Sequence, residues 1–232
     1  MGVRTVVFGK FAWQYLHGLC QWLDAHEHDR KLAIRVLSAL VWIMPCIYCR
    51  RSAAVFITKD KLNPTKIGKK HGSDTFKEWA YRLHQQVNMK LFWQDVKNNK
   101  PRIWSHWLGY QPPLKKVKYV KALSKHWLSS VIQFFAYVVC DYPTEQDDDY
   151  SKRKRQIQLF LPNLGKLVGV PFGKLMDLSQ MSVDERLRAV HQVYHRLVPK
   201  ECCEEPEVFL DFCKAAIVGG CQKIDPKKVG CM

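Results

Sequence analysis

Cys46 and Cys49 stand two residues apart in the stretch "WIMPCIYCRRSAAVFI" (42–57), directly after Pro45 and ahead of an apolar, helix-compatible run. Spaced by three at a helix start, their sulfurs come close enough to join. The unpaired backbone N–H groups of a first helical turn favour an anion, so a thiolate is stabilised there. Arg50 and Arg51 add positive charge. A thiol of this kind is both nucleophile and leaving group in disulfide exchange. Zinc is the competing chemistry, and it needs two further ligands at suitable spacing. The chain has no second Cys-x-x-Cys, and Cys202 and Cys203 are adjacent. His191 and His195, four apart, suit a solvated or half-buried helix face better than a ligand pair. No metal site is expected.

The elements that would hold this pair are helices. Trp13, Leu16, His17, Cys20 and Leu23 recur on one helical face, and Leu32, Ile34, Val36, Leu37, Leu40 and Val41 mark a second segment over about 31–44. A third begins near Cys46. The fourth opens at "SDTFKEW" with Ser73 as its cap and carries Phe76, Trp79, Ala80, Leu83, Val87 and Leu91 in its stripe. "NNKPR" (98–102) and "GYQPPL" (109–114) break the pattern. Helices near 115–140, 152–161, 182–197 and 206–218 follow, with "EQDDDYSKRKR" (145–155) as the most polar loop between them. No strand–turn–helix alternation is visible, so the fold class is all-α: a four-helix bundle over 1–97 and a second helical domain over 98–232.

Two further pairs border the apolar stripes. Trp13 and His17 are four apart on the first helix, and His84 and Asn88 are four apart on the fourth. Each alone reads as a core aromatic beside a satisfied histidine, or as polar groups satisfying one another. In order, however, the chain offers Gly9-x-x-x-Trp13-x-x-x-His17, then Pro45-Cys46-x-x-Cys49, then Trp79-x(4)-His84-x-x-Val87-Asn88-x-x-Leu91. Over about residues 9–95 this resembles the Erv/ALR family of FAD-linked sulfhydryl oxidases. The resemblance implies a bundle holding FAD in its mouth, with Gly9, Lys10, Trp13, His17, His84, Val87, Asn88 and Leu91 as cofactor-binding positions. It makes Cys46 and Cys49 the catalytic pair: a substrate dithiol attacks at Cys46, Cys49 is the flavin-side sulfur, and electrons pass to oxygen as hydrogen peroxide. Thiol-containing proteins are the implied substrates, and a homodimer is expected. Lys10 stands where the family commonly has arginine, Gln85 where it has asparagine, and Phe92-Trp93 where it has Gly-Lys. Lys90, Lys97 and Lys100 are the cations left to meet a phosphate.

The chain has 37 Lys and Arg against 21 Asp and Glu, a net +16 that favours acidic partners. Lys115, Lys118 and Lys125 near one helix face, and "KRKR" (152–155), admit a second reading: a nucleic-acid-binding or virion structural protein on a degenerate oxidase scaffold. A solvated helix face ranks ahead of nucleic-acid contact there. The longest apolar run, "VIQFFAYVVC" (131–140), is too short to span a membrane and reads as a buried helix. The N-terminus shows no secretory signal, and nine cysteines without one favour a metal or redox role over structural disulfides. An oxidase domain with an added helical domain is similar to those of large DNA viruses, which implies the host cytoplasm or the virion; the mitochondrial intermembrane space is the other compartment that fits. The second domain, large and basic, is expected to recruit a partner and to leave residues 1–97 soluble alone. Cys221 and Cys231 in the Gly- and Lys-rich tail are candidates for a shuttle disulfide, and Cys20 and Cys140 for buried thiols.

Overall fold

A computed structural model describes residues 3, 5–97, 121–147, 149–173, 178–198 and 206–215. Among them no strand occurs, and the fold is all-α. The helices are α1 (Thr5–Ala25), α2 (Arg30–Ile43), α3 (Ile47–Ile57), α4 (Phe76–Lys97), α5 (Lys125–Cys140), α6 (Tyr150–Val168), α7 (Val183–Leu197) and α8 (Pro206–Ala215). Cys202, Cys203, Cys221, Cys231, Lys100, Lys115 and Lys118 lie outside the described residues.

Local chemistry sets the boundaries around the cysteine pair. Asp29 starts α2 by accepting the Leu32 N–H at 3.1 Å. Pro45 stops it, because a residue before proline is driven from helical to extended backbone, and Met44 sits at φ −56°, ψ 129°. Ser73 does not cap α4. The 58–75 connection folds back through two short 3-10 turns, Asp60–Leu62 and Pro64–Lys66, and carries Ser73 fully inside, where its hydroxyl donates to the Lys61 carbonyl. Thr75 is the cap instead, its hydroxyl accepting the Glu78 N–H at 3.0 Å, and α1 adds the Asp24 carboxylate, which accepts from the Phe76 and Lys77 N–H groups at 2.9 and 2.8 Å. Buried Trp79 fastens the same connection through its indole N–H to the Leu62 carbonyl at 2.7 Å.

The later helices differ from the sequence expectation for stated reasons. Helix α5 begins at Lys125, where Ser124 accepts the Trp127 N–H at 3.3 Å and sets the cap; residues 115–120 of the expected helix lie outside the described residues. Helix α6 runs straight through Pro162, where the pattern ended it. Leu161, Leu164, Leu167 and Val168 are buried beyond or beside the proline, and their packing outweighs one missing backbone hydrogen bond. Gly169, at φ 73°, closes the helix in the left-handed region that favours glycine. Residues 150–155 of the polar "loop" are therefore the first turns of α6.

Helix α1 packs against both α4 and α5, α2 against both α3 and α6, and α5 also against α7 and α8. A single apolar core runs from Phe8, Leu19 and Leu37 to Phe134, Phe160 and Phe209. Tyr15 of α1 stacks on Phe134 at 5.8 Å and meets the Phe160 edge at 5.6 Å, and the Trp127 indole donates to the Tyr15 carbonyl at 3.0 Å. The two blocks thus share one core across the expected boundary near residue 97.

A chain ending at residue 97 would uncover Tyr15, 0 % exposed and packed on Phe134 and Phe160; a large buried side chain costs roughly 1.5–3 kcal/mol to leave in water. The expected outcome is aggregation, or loss of near-ultraviolet circular dichroism with helix retained. A soluble truncation with a cooperative melt would show the first block to be self-sufficient.

Candidate active site

Cys46 takes the N-cap of α3 with φ −157° and ψ 118°, and its Sγ accepts the Cys49 backbone N–H at 3.3 Å. The sulfur therefore lies where a helix end favours an anion. Cys46 is only 1 % exposed. Val3 is equally buried, and its N–H donates to the Pro45 carbonyl at 2.8 Å. At that burial a thiol from another protein reaches the Cys46 sulfur only after local opening. Cys49 is half-buried and lines a cavity inside the helix cluster.

A cavity of about 80 Å³ opens beside Cys49. All of α1 to α4 build it: Phe8, Gly9, Ala12, Trp13 and Leu16; Leu40 and Met44; Cys49, Ser52, Ala53 and Phe56; Leu83, Val87, Lys90 and Leu91. Of the sequence-predicted positions, Gly9, Trp13, Cys49, Val87 and Leu91 share this wall. A side chain added at Gly9 would meet no atom within 4 Å, so the glycine keeps that side of the cavity clear. His17 and His84 are brought together outside the wall but against Trp13. The Trp13 and His84 rings stack at 3.8 Å and 9°, and His17 Nε2 bonds His84 Nδ1 at 2.9 Å. Lys10 and Asn88 are not part of the group: Asn88 is half-buried on α4, and Lys10 is exposed and lines a separate cleft with Gln14, Lys121 and Ser130.

The arginines behave differently from the sequence reading. Arg50 does not serve the cysteine pair as a loose cation; its Nη1 donates to the Met44 carbonyl and to Asp141 Oδ2, both at 2.7 Å. Arg153, 4 % exposed, donates to the same Asp141 Oδ2 at 3.1 Å, to the Asp141 carbonyl at 2.8 Å and to the Trp42 carbonyl at 3.2 Å. Burial pushes the Asp141 carboxyl up, and the two guanidiniums oppose it. Removing the carboxylate would strand two cations in a largely dry site, a change worth about 3–5 kcal/mol. This cluster ties the "KRKR" run to the cysteine helix. Lys152 sits over the Trp42 ring at 3.8 Å and Lys154 donates to Ser179 at 3.0 Å, so the run is no uniform basic patch.

Sequence reasoning missed Asp141, whose link to Arg50 spans 91 residues and leaves no local signal. Lys90 was named only for a phosphate. Its signal was present: with Leu83, Val87 and Leu91 it keeps helical spacing, a lone cation inside an apolar stripe. His191, 3 % exposed, packs its ring against Phe209 at 5.1 Å and meets the His195 ring edge at 4.4 Å. No described helix is long and apolar enough to cross a membrane. Comparison with protein-family models, curated proteins and solved structures finds no match to this chain.

Burial first, and then His84, pushes His17 down to about 3, while burial alone pushes His84 down to about 4. Both rings are neutral at pH 7. In the unfolded chain they take up protons from about pH 6.5 downward, so unfolding binds protons between that pH and about 4 and stability falls as pH falls. The melting temperature is expected to drop across that window. In a His17→Gln/His84→Gln variant the drop should flatten; an unchanged pH profile would contradict the assignment.

Proposed function

We propose that the chain is a FAD-linked thiol oxidase that forms disulfide bonds in protein substrates. One observation carries this reading: the Cys46/Cys49 pair sits at a helix N-terminus with Cys49 opening into an apolar cavity built jointly by α1–α4 beside the Trp13–His84 stack. The same residues give the resemblance to the Erv/ALR oxidases.

The wall suits a flavin in its chemistry. It offers apolar side chains, small residues at Gly9, Ala12 and Ala53 that leave room for a flat group, a thiol on one side and an ammonium near it. At about 80 Å³ the cavity is tighter than the ~300–1,000 Å³ of small-molecule sites, so entry requires flexible apolar side chains of the wall, such as Met44 and Leu91, to shift. In this reading Gly9, Trp13, Val87 and Leu91 contact the ring system, and His17 orients His84 through their shared hydrogen bond. When bound, FAD would take the electron pair released as Cys46 and Cys49 join and would deliver it to oxygen.

The chain's own part is exchange and positioning. A substrate thiolate attacks the Cys46 sulfur of the Cys46–Cys49 disulfide, and Cys49 leaves as a thiolate into the cavity. A second substrate thiolate attacks the mixed disulfide, releasing Cys46 and oxidised substrate. The Cys49 N–H bond to the Cys46 sulfur favours that departure. The step needs local opening around Cys46, which is 1 % exposed.

Oxygen uptake with dithiothreitol tests the reading. Cys46→Ser and Cys49→Ser are each expected to lose at least about a hundredfold in rate, since neither thiol alone can close the disulfide. Near-full turnover by either variant, or no peroxide from the unaltered protein, would overturn it.

A further inference from the structure

Among the described side chains that wall the cavity, Lys90 is the only one with a fixed charge. An ammonium in an apolar wall is costly, because burial strips its water, unless an anion faces it. Its position is fixed rather than swept by solvent. Lys90 Nζ donates to Ser52 Oγ, and the Ser52 hydroxyl in turn donates to the Tyr48 carbonyl at 2.8 Å. Ser52 stands three residues after Cys49 on α3, and side chains so spaced are neighbours on one helix face. Ser52 therefore moors the ammonium of α4 one turn from the Cys49 sulfur, inside the cavity they both line.

We propose that Lys90 is a positioning residue for the thiol pair, holding Cys49 as the thiolate on the cavity side. The proposal rests on Cys49 being the cavity-side redox sulfur, and it does not depend on which cofactor occupies the cavity.

Among the described groups packed around Cys49, Lys90 is the cation that shares its cavity. From α1 the wall supplies Phe8, Gly9, Ala12, Trp13 and Leu16, and from α2 Leu40 and Met44, none of them charged. On α3 itself, Arg50 is engaged by Asp141 and Arg51 is exposed. Cys46 Sγ already receives the Cys49 N–H. His17 and His84 are neutral at pH 7. Burial lowers the Lys90 ammonium, and the charges of Cys49 and then Cys46 push it back up, as expected of a cation that depends on the thiolates for its balance. The dependence is mutual: an opposite charge this near favours the ionised thiol.

The test reads Cys49 directly and without turnover. In a Cys46→Ser background, which prevents the disulfide, alkylation of Cys49 by iodoacetamide is followed by peptide mass spectrometry from about pH 5 to 10, spanning the usual thiol range. Lys90→Met is expected to raise the midpoint by about one unit or more, roughly a tenfold loss of thiolate at neutral pH. Lys90→Arg should keep the midpoint low, and Ser52→Ala, which unmoors the ammonium, should raise it part of the way. Circular dichroism establishes that each variant is folded. Should Lys90→Met fail to fold, Ser52→Ala and Lys90→Gln decide the matter by the same readout. An unchanged midpoint in the folded neutral variant overturns the proposal. Failure of the oxidase reading would show separately, as absent oxygen uptake with the Lys90 effect on Cys49 intact.

Discussion

Helix α1 is buried on two sides at once, and the rest of the molecule is arranged around that constraint. One side presents Gly9, Ala12, Trp13 and Leu16 to the cavity shared with α2, α3 and α4. The other presents Tyr15 to α5 and α6, with the Trp127 indole bonded to the Tyr15 carbonyl. A helix apolar almost all round needs cover all round. The later helices supply it, which is why the core does not divide where the sequence changes character near residue 97. The geometry of Trp13, and of the histidines stacked on it, is set from behind by residues more than a hundred positions away.

The cysteine helix is held by a similar double attachment. At its start, Cys46 replaces a conventional capping oxygen with sulfur, so a reactive atom also serves as a structural acceptor. One turn on, Arg50 runs to Asp141 at the end of α5, and Asp141 is shared with Arg153 of α6. The positive charge adjacent to the motif in sequence is thereby spent on anchoring, and the cation beside the cavity comes from another helix. Function and fold are coupled here through one carboxylate: whatever disturbs Asp141 disturbs the loop that positions Cys46.

Much of this was legible in the sequence, for identifiable reasons. The all-α class followed from apolar spacing, and the α3 start followed from Pro45. Trp13, His17 and His84 were grouped only through the resemblance, which makes them contacts of one cofactor; their i, i+4 spacing alone read as core. What stayed hidden depended on distant partners. Ser73 looked like a cap because it precedes an apolar run, but Thr75 takes that place with the Asp24 carboxylate of another helix beside it. Pro162 looked like a terminus because the packing that carries α6 past it is tertiary. "KRKR" looked like a solvated patch because nothing local reveals that Arg153 is buried on Asp141. The first helix displayed one stripe, Trp13 to Leu23, and concealed the second face at Tyr15 and Leu19.

The central claim is that the cavity beside Cys49 takes a flavin, and the most direct measurement is the absorption spectrum of the purified protein before and after denaturation. The account predicts a yellow protein that releases about one FAD per chain, non-covalently, on unfolding, and a stripped form whose melting temperature rises when FAD is added. A colourless protein that releases no flavin, and whose melt added FAD leaves unmoved, would contradict it.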